Sequence, residues 1–167
     1  MSKLFRNTLY LQLQSDKLRA LHVESGRAFA EAPVLAWRSE KGRVVTLAAG
    51  NAALVLRGRP GVTVVNGFQH PRTLLADFSV AERTLQLLFK TLMPATLFQA
   101  APTVILHPLE HLEGGLTQVE IRGLAELLLG AGARRAFIWS GAELSQTALE
   151  SLQFPAEGGT LHYPESR

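Results

Sequence analysis

Apolar residues recur along this chain in two periods, and the switches between them mark out its elements. Thr103 to His107 is a short apolar run that predicts a buried strand. Thr117 to Leu129 repeats apolar positions at helical spacing, and Arg135 to Trp139 is a second apolar strand. Strand, helix, strand with a connection of that length predicts a βαβ unit, because parallel neighbours need a crossover of a dozen or more residues. Upstream the period is two. Thr8 to Leu13 sets Leu9, Leu11 and Leu13 against the more polar Thr8, Tyr10 and Gln12, and Leu18 to Val23 resumes after Gln14-Ser15-Asp16-Lys17. That predicts a hairpin. After Gly26, the segment Ala28 to Trp37 predicts a third strand, with Pro33 marking an edge or a bulge, so an antiparallel meander opens the chain. Val44 to Leu47 and Val62 to Val65 predict further short strands, separated by a small helix capped by Asn51 and ending near Arg57-Gly58, and by the turn Arg59-Pro60-Gly61.

Three segments place a hydroxyl three residues before a glutamate, the spacing of a capping box: Ser79 to Glu82, Thr117 to Glu120 and Ser140 to Glu143. Each opens an apolar-periodic run and predicts a helix. The first carries Leu85, Leu88, Phe89 and Leu92 on one face and ends near Met93 before Pro94. The second ends at Gly130-Ala131-Gly132, and the third spans Glu143 to Leu152. From Phe154 onward, Pro155, Gly158, Gly159 and Pro164 predict an irregular tail. No repeat or linker divides the 167 residues, which are expected to form one α/β domain, a core over about 4–152 and a tail over 153–167.

Composition narrows the function classes. With 47% hydrophobic residues the chain is not disordered. It has no cysteine, which removes disulfides, thiol catalysis and thiolate metal sites. The net charge is +3 and the Lys and Arg residues are scattered, so no nucleic-acid footprint is expected. No run of about 18 apolar residues predicts a membrane span, and Met1 to Arg6 lacks the apolar core of a signal peptide, so a cytoplasmic location is expected. Trp37 and Trp139 are expected in strand core or at its margin, and Asp77 at a helix entry.

One motif invites metal chemistry. His107-x-x-Glu110-His111 matches the inverted zincin word, in which two helical His bind zinc and the Glu is the general base. Here His107 ends a predicted strand, Pro108 follows, and Gly114-Gly115 closes the segment, so the preferred reading is a polar surface loop and the metallohydrolase the alternative.

Leu74-Leu75-Ala76-Asp77-Phe78 with Val80 and Glu82, then Thr117 to Arg122, then Gly130 to Arg134 with Phe137-Ile138, resemble successive words of MreB, the bacterial actin-like rod-shape protein family. Glu31-Ala32-Pro33 and Gly58 to Gly61 fit the intervening pieces, and the likeness runs from about Leu4 to Leu144. It implies an actin-like, ribonuclease H-like single lobe: a mixed five-stranded sheet, N-terminal meander and flanking helices, one of two lobes that clasp ATP. The family's first phosphate loop, Asp-x-Gly-Thr, falls on Gln12, Gln14 and Ser15, next to Asp16. Gln12 lacks the charge that organises the metal, and Gln14 puts a side chain where the family has none. The Glu that positions attacking water falls at Gly141, beside Ser140 and near Glu143. Glu157-Gly158-Gly159-Thr160 is only faintly similar to the second phosphate loop, and the second lobe is expected to be missing. The resemblance therefore implies a pseudo-ATPase without a cofactor, acting by protein binding in bacterial cell shape, the cytoskeleton or an envelope process. Expected partners are a second copy of this chain or a full-length actin-like protein. Lys3 to Arg6 resembles the start of the family's membrane-touching segment, giving a weak expectation of contact with the inner face of the membrane. The alternative is a nucleotide-binding ATPase fragment.

Overall fold

In the computed structural model, which describes residues 6–93 and 100–165, the meander runs through β1 (Thr8–Leu13), β2 (Leu18–His22) and β3 (Arg27–Glu31). Next come β4 (Leu35–Glu40), β5 (Arg43–Ala49), the single-turn α1 (Asn51–Leu54) and β6 (Val62–Val65). The predicted helix is α2 (Phe78–Leu92), and the βαβ unit is β7 (Thr103–Pro108), α3 (Gln118–Gly130) and β8 (Arg135–Gly141). The chain continues through α4 (Gln146–Ser151) and β9 (Gly159–Tyr163). The main sheet has the order β3-β2-β1-β7-β8-β9, and a second sheet the order β5-β4-β6. β1–β7 and β7–β8 are parallel and the other pairs antiparallel.

The apolar alternation accounts for the main sheet's near face. Leu9, Leu11, Leu13, Ala20, Val104, Leu106 and Ile138 pack there against Leu85, Leu88, Phe89 and Leu92 of α2 and Leu124, Leu127 and Leu128 of α3. The far face is different. Tyr10, Ile105, Phe137 and Trp139 form a second core with Leu144, Ala148 and Leu149 around α4. β1 was expected to be polar on one side, yet Thr8 and Tyr10 are as buried as the leucines, because a central strand of a sheet with helices on both faces has little solvent side.

Several expectations are corrected. The expected third strand is two: Ala32-Pro33-Val34 breaks it, with Val34 N–H donating to the Ala32 carbonyl, and the chain passes from one sheet to the other. Pro33, without an N–H, ends the ladder instead of merely marking its edge. The main sheet has six strands, not five, because the expected irregular tail supplies β9. Its glycines form the entry turn while Leu161 packs on the far-face core and Tyr163 on the near-face one. Asn51 is the first residue of α1, not its cap. Its side-chain oxygen accepts from Ala32 N–H at 2.9 Å and its amide donates to the Ala30 carbonyl at 3.0 Å, pinning the strand break. α1 also ends at Leu54, short of the expected Arg57-Gly58.

Of the three capping boxes only Thr117 with Glu120 forms. α4 is capped by Ser145, while Ser140 lies in β8. α2 is capped by Asp77, whose Oδ1 accepts from Val80 N–H at 3.0 Å, so Ser79 is already inside the helix. Asp77→Ala is accordingly expected to cost about 1 kcal/mol in urea unfolding and Ser79→Ala only a few tenths. Equal losses would return the cap to Ser79. Met93 is extended, as a residue before proline prefers, and Pro94 itself lies outside the described residues.

Candidate functional site

Parallel strands gather their C-terminal ends on one edge, where sheets of this class bind ligands. Here that edge carries the turn Gln14 to Lys17 after β1, the loop Leu109 to Leu116 after β7, and the loop Ala142 to Glu143 after β8. The loops are tied together by side chains that the sequence singled out for other roles.

His107, at the end of β7, is buried at 2% exposure. Its Nε2 lies 2.9 Å from the Gly141 carbonyl, which only accepts, so Nε2 carries the proton. Nδ1 then accepts from the Tyr10 hydroxyl at 2.6 Å, and that hydroxyl accepts from Leu144 N–H at 3.3 Å. The chain of bonds crosses β1, β7 and β8 and leaves both ring nitrogens occupied. Burial pushes the His107 pKa down, against a smaller opposing pull from the Gly141 bond and Glu143, and burial raises that of Tyr10.

Glu110 faces the other way. Its Oε2 accepts from Ser15 N–H at 3.1 Å, while Asn66 donates from Nδ2 to the Ser15 carbonyl at 2.7 Å. The turn at Ser15 is held from both sides, and its amide already has an anion. His111 has a left-handed backbone, φ +57°, and its Nε2 stands 4.0 Å from Glu110 Oε2. The three residues of the zincin word are therefore not on a helix, and His107 turns away from Glu110 and His111 to bond Tyr10 and Gly141. Among the described residues no group of three or more His, Cys, Asp or Glu is arranged to hold a metal ion.

The positions that the resemblance matches to a phosphate loop do not all face one place. Gln12 faces a groove on the far side of the sheet, which it lines with Arg19 and Glu143, away from the turn at Ser15. Asp16, Glu110, Glu113 and Glu143 all sit on the loops of this edge. At that turn the Ser15 amide is already occupied by Glu110. Gly141, where the resemblance puts a catalytic Glu, approaches Gly159 of β9 too closely for any side chain.

The sequence singled out Gln12, Gln14, Ser15, Asp16, His107, Glu110 and His111, and the structure places most of them at one edge of the sheet. It missed Tyr10, Asn66 and Gly159. Tyr10 stood on the strand face read as polar, and its distance in sequence from His107 left no local signal. Trp139 is buried in the far-face core with Nε1–H donating to the Ala142 carbonyl at 2.9 Å, and Trp37 is half-buried. Arg6 donates to the Glu150 carbonyl at 2.7 Å, while Lys3 to Phe5 lie outside the described residues.

No family model matches the chain. It is similar to the cell shape-determining protein MreB of Haemophilus influenzae and to that of Pasteurella multocida, at 29% identity in each case over 94% of this chain and 46% of the relative. The chain thus spans about half the length of the curated relatives it matches. Among solved structures, MreB5 of Spiroplasma citri bound to ADP superposes with a TM-score of 0.60 at 18% identity, covering 82% of this chain and 38% of that one. A non-polymerising MamK mutant bound to AMPPNP gives 0.62 at 15%, covering 81% and 41%. A MamK double helical filament gives 0.58 at 14%, covering 80% and 40%. The resemblance to MreB holds, and the fold is that of an actin-like lobe.

Proposed function

We propose that this protein is a non-catalytic relative of MreB that works by binding protein, in bacterial cell shape or an associated cytoskeletal or envelope process. The observation that carries the reading is the Glu110 carboxylate on the Ser15 amide, at the turn where an actin-like ATPase cradles phosphate. It supports a turn whose anion is supplied by the chain itself. Gln12 in place of the acid, the added side chain at Gln14 and the crowding at Gly141 support the same conclusion from independent positions. The MamK filament among the structural relatives supports assembly with other protein as the remaining role. No helix among the described residues is long and apolar enough to cross a membrane, and we place the protein in the cytoplasm, working where cell-shape proteins act on the envelope.

Calorimetry with Mg-ATP tests this directly. The expected result is no binding heat and no turnover above buffer. Binding at millimolar or tighter affinity, with turnover abolished by Ser15→Ala or Asp16→Ala, would overturn the reading and restore an ATPase.

A further inference from the structure

Charge is divided unevenly between the two sheets. From Ala32 to Ala76 the chain carries six of its 17 Lys and Arg but one of its 14 Asp and Glu, so the remainder holds 11 cations against 13 anions. That stretch contains the small sheet of β4, β5 and β6 together with α1. The inner end of the small sheet is buried at Leu35 and Ala36, and its outer end, from Arg38 to Val44, is exposed. Five of the six cations gather at that outer end, while Arg72 stands apart in the loop before α2. Positions scattered along the sequence thus become one basic surface in the fold.

Register decides which side of the small sheet they occupy. Along β4, Ala36, Arg38 and Glu40 share the face that α1 covers, since Ala36 and Ala53 belong to one core. Arg43 lies opposite Glu40, on that same face and diagonal to Arg38, a spacing of about 7–8 Å. The chain leaving α1 packs Leu56 on this core and enters β6 through a turn in which Val62 N–H donates to the Arg59 carbonyl at 3.1 Å. Val62 in turn lies opposite Arg38, so Arg57 and Arg59 border the β6 side of the same face. Lys41, with φ +50°, stands at the hairpin turn between β4 and β5. Glu40 is the one carboxylate here, and it is paired with Arg38. Among the described residues Lys41, Arg43, Arg57 and Arg59 belong to no ion pair, and all four are exposed.

Four unpaired cations beside a carboxylate that already has its partner are complementary to an anion, and the surroundings decide which kind. The exposed apolar residues nearby do not extend the patch into a lipid-facing surface: Val44 lies opposite Ser39, on the other face of the sheet, and Val55 follows α1. Trp37, the aromatic of this sheet, is half-buried and alternates to the face away from Arg38, so it offers no platform for a nucleic-acid base beside the cations. Three of the four free cations are arginines, whose planar fork takes a carboxylate bidentately. We propose that the outer end of the small sheet docks a carboxylate-rich segment of a partner protein, with Arg43, Arg57 and Arg59 taking its carboxylates and Lys41 adding charge at the rim. The proposal rests on the protein-binding reading above and names the chemistry of the partner, and the nucleotide test of that reading is independent of it.

Fluorescence anisotropy of a labelled oligoglutamate peptide, titrated with the full chain, reads the docking. The expected result is saturable binding that weakens as salt rises and falls about ten-fold or more in the double variant R43E/R59E. The double variant R19E/R134E changes the net charge by the same amount at exposed positions of the main sheet and its loops, and leaves binding within about two-fold of the parent. Circular dichroism shows both variants folded, since all four side chains are exposed. No binding, or equal losses in the two double variants, overturns the site, because net charge alone would then account for the peptide. Tighter binding to phosphatidylglycerol vesicles or to a single-stranded oligonucleotide of the same charge overturns it in favour of a membrane or a nucleic acid. Self-association in sedimentation velocity that R43E/R59E removes overturns it in favour of a second copy. Mg-ATP binding by a chain that still takes the peptide would sink the non-catalytic reading and leave the docking site standing.

Discussion

Gly141→Glu, which supplies the acid that the resemblance to MreB implies for this position, is expected to destabilise the protein by about 3–5 kcal/mol and release β9 from the sheet. Gly141 has φ +129°, a conformation that L side chains rarely adopt, and a Cβ built on it runs into the Gly159 Cα and the Gly158 carbonyl. Neither neighbour can retreat, since Ala142 N–H donates to the Gly158 carbonyl at 2.7 Å and a Cβ on Gly159 would itself meet the Trp139 ring. Backbone against backbone leaves separation of the strands as the only relief. Gly132→Ala separates this clash from simple backbone strain. Gly132 has φ +113° with nothing within 4 Å of an added Cβ, so that change should cost only about 1 kcal/mol. Urea unfolding gives the energies, and hydrogen exchange at residues 159–163 shows whether β9 has gone. A Gly141→Glu protein with parental stability and protected β9 amides would contradict the account. If it holds, the missing acid and the sixth strand are one structural fact: β9 can pair with β8 only where position 141 has no side chain.

Local signals in the sequence reached as far as local physics decides. The βαβ unit and both long helices were legible because their apolar periods are set by which face is buried, and the Thr117 box was legible because its two bonds lie within one turn. The boxes at Ser79 and Ser140 failed because the same spacing occurs wherever hydroxyls and acids are common, and the tertiary fold chose between rival caps. Asp77 won at α2. At Ser140 the demand for a strand partner won, and its Oγ bonds instead to His162 Nε2 at 2.6 Å across to β9. β9 was invisible for a related reason. An edge strand of five residues entered through glycines and left before a proline has the composition of a tail, and only Leu161 and Tyr163, at their places in the two cores, make it a strand. The site shows the same division. The residue types that depart from an ATPase loop can be read directly, but that Glu110 reaches back to Ser15, and His107 to Tyr10 and Gly141, depends on loop paths that no spacing encodes.

His107→Ala is the other substitution with a large expected effect, a loss of about 3–5 kcal/mol, or roughly 10 °C in Tm for a chain of this size. The change opens a cavity at a site that is 2% exposed and strips both the Tyr10 hydroxyl and the Gly141 carbonyl of their partner. A metal-ligand or surface-loop residue would cost far less, so the size of the loss tests the assignment of His107 as the tie between β1, β7 and β8. Its pH dependence follows from the direction of the shift. Burial holds the folded pKa of His107 below the unfolded value of about 6.5, and His22 and His162 are displaced the same way. Between each folded pKa and the unfolded one, the unfolded chain binds more protons than the folded. Stability is therefore fully present above pH of about 7 and declines as pH falls through 6.5 towards the lower folded values. In His107→Ala the unfolding free energy should fall less steeply between about pH 7 and pH 5 than in the parent, by up to one proton's worth of slope, with His22 and His162 supplying the remainder. An unaltered slope together with a small stability loss would place His107 in solvent, and the bond chain through Tyr10 would then no longer account for how the three strand ends are held.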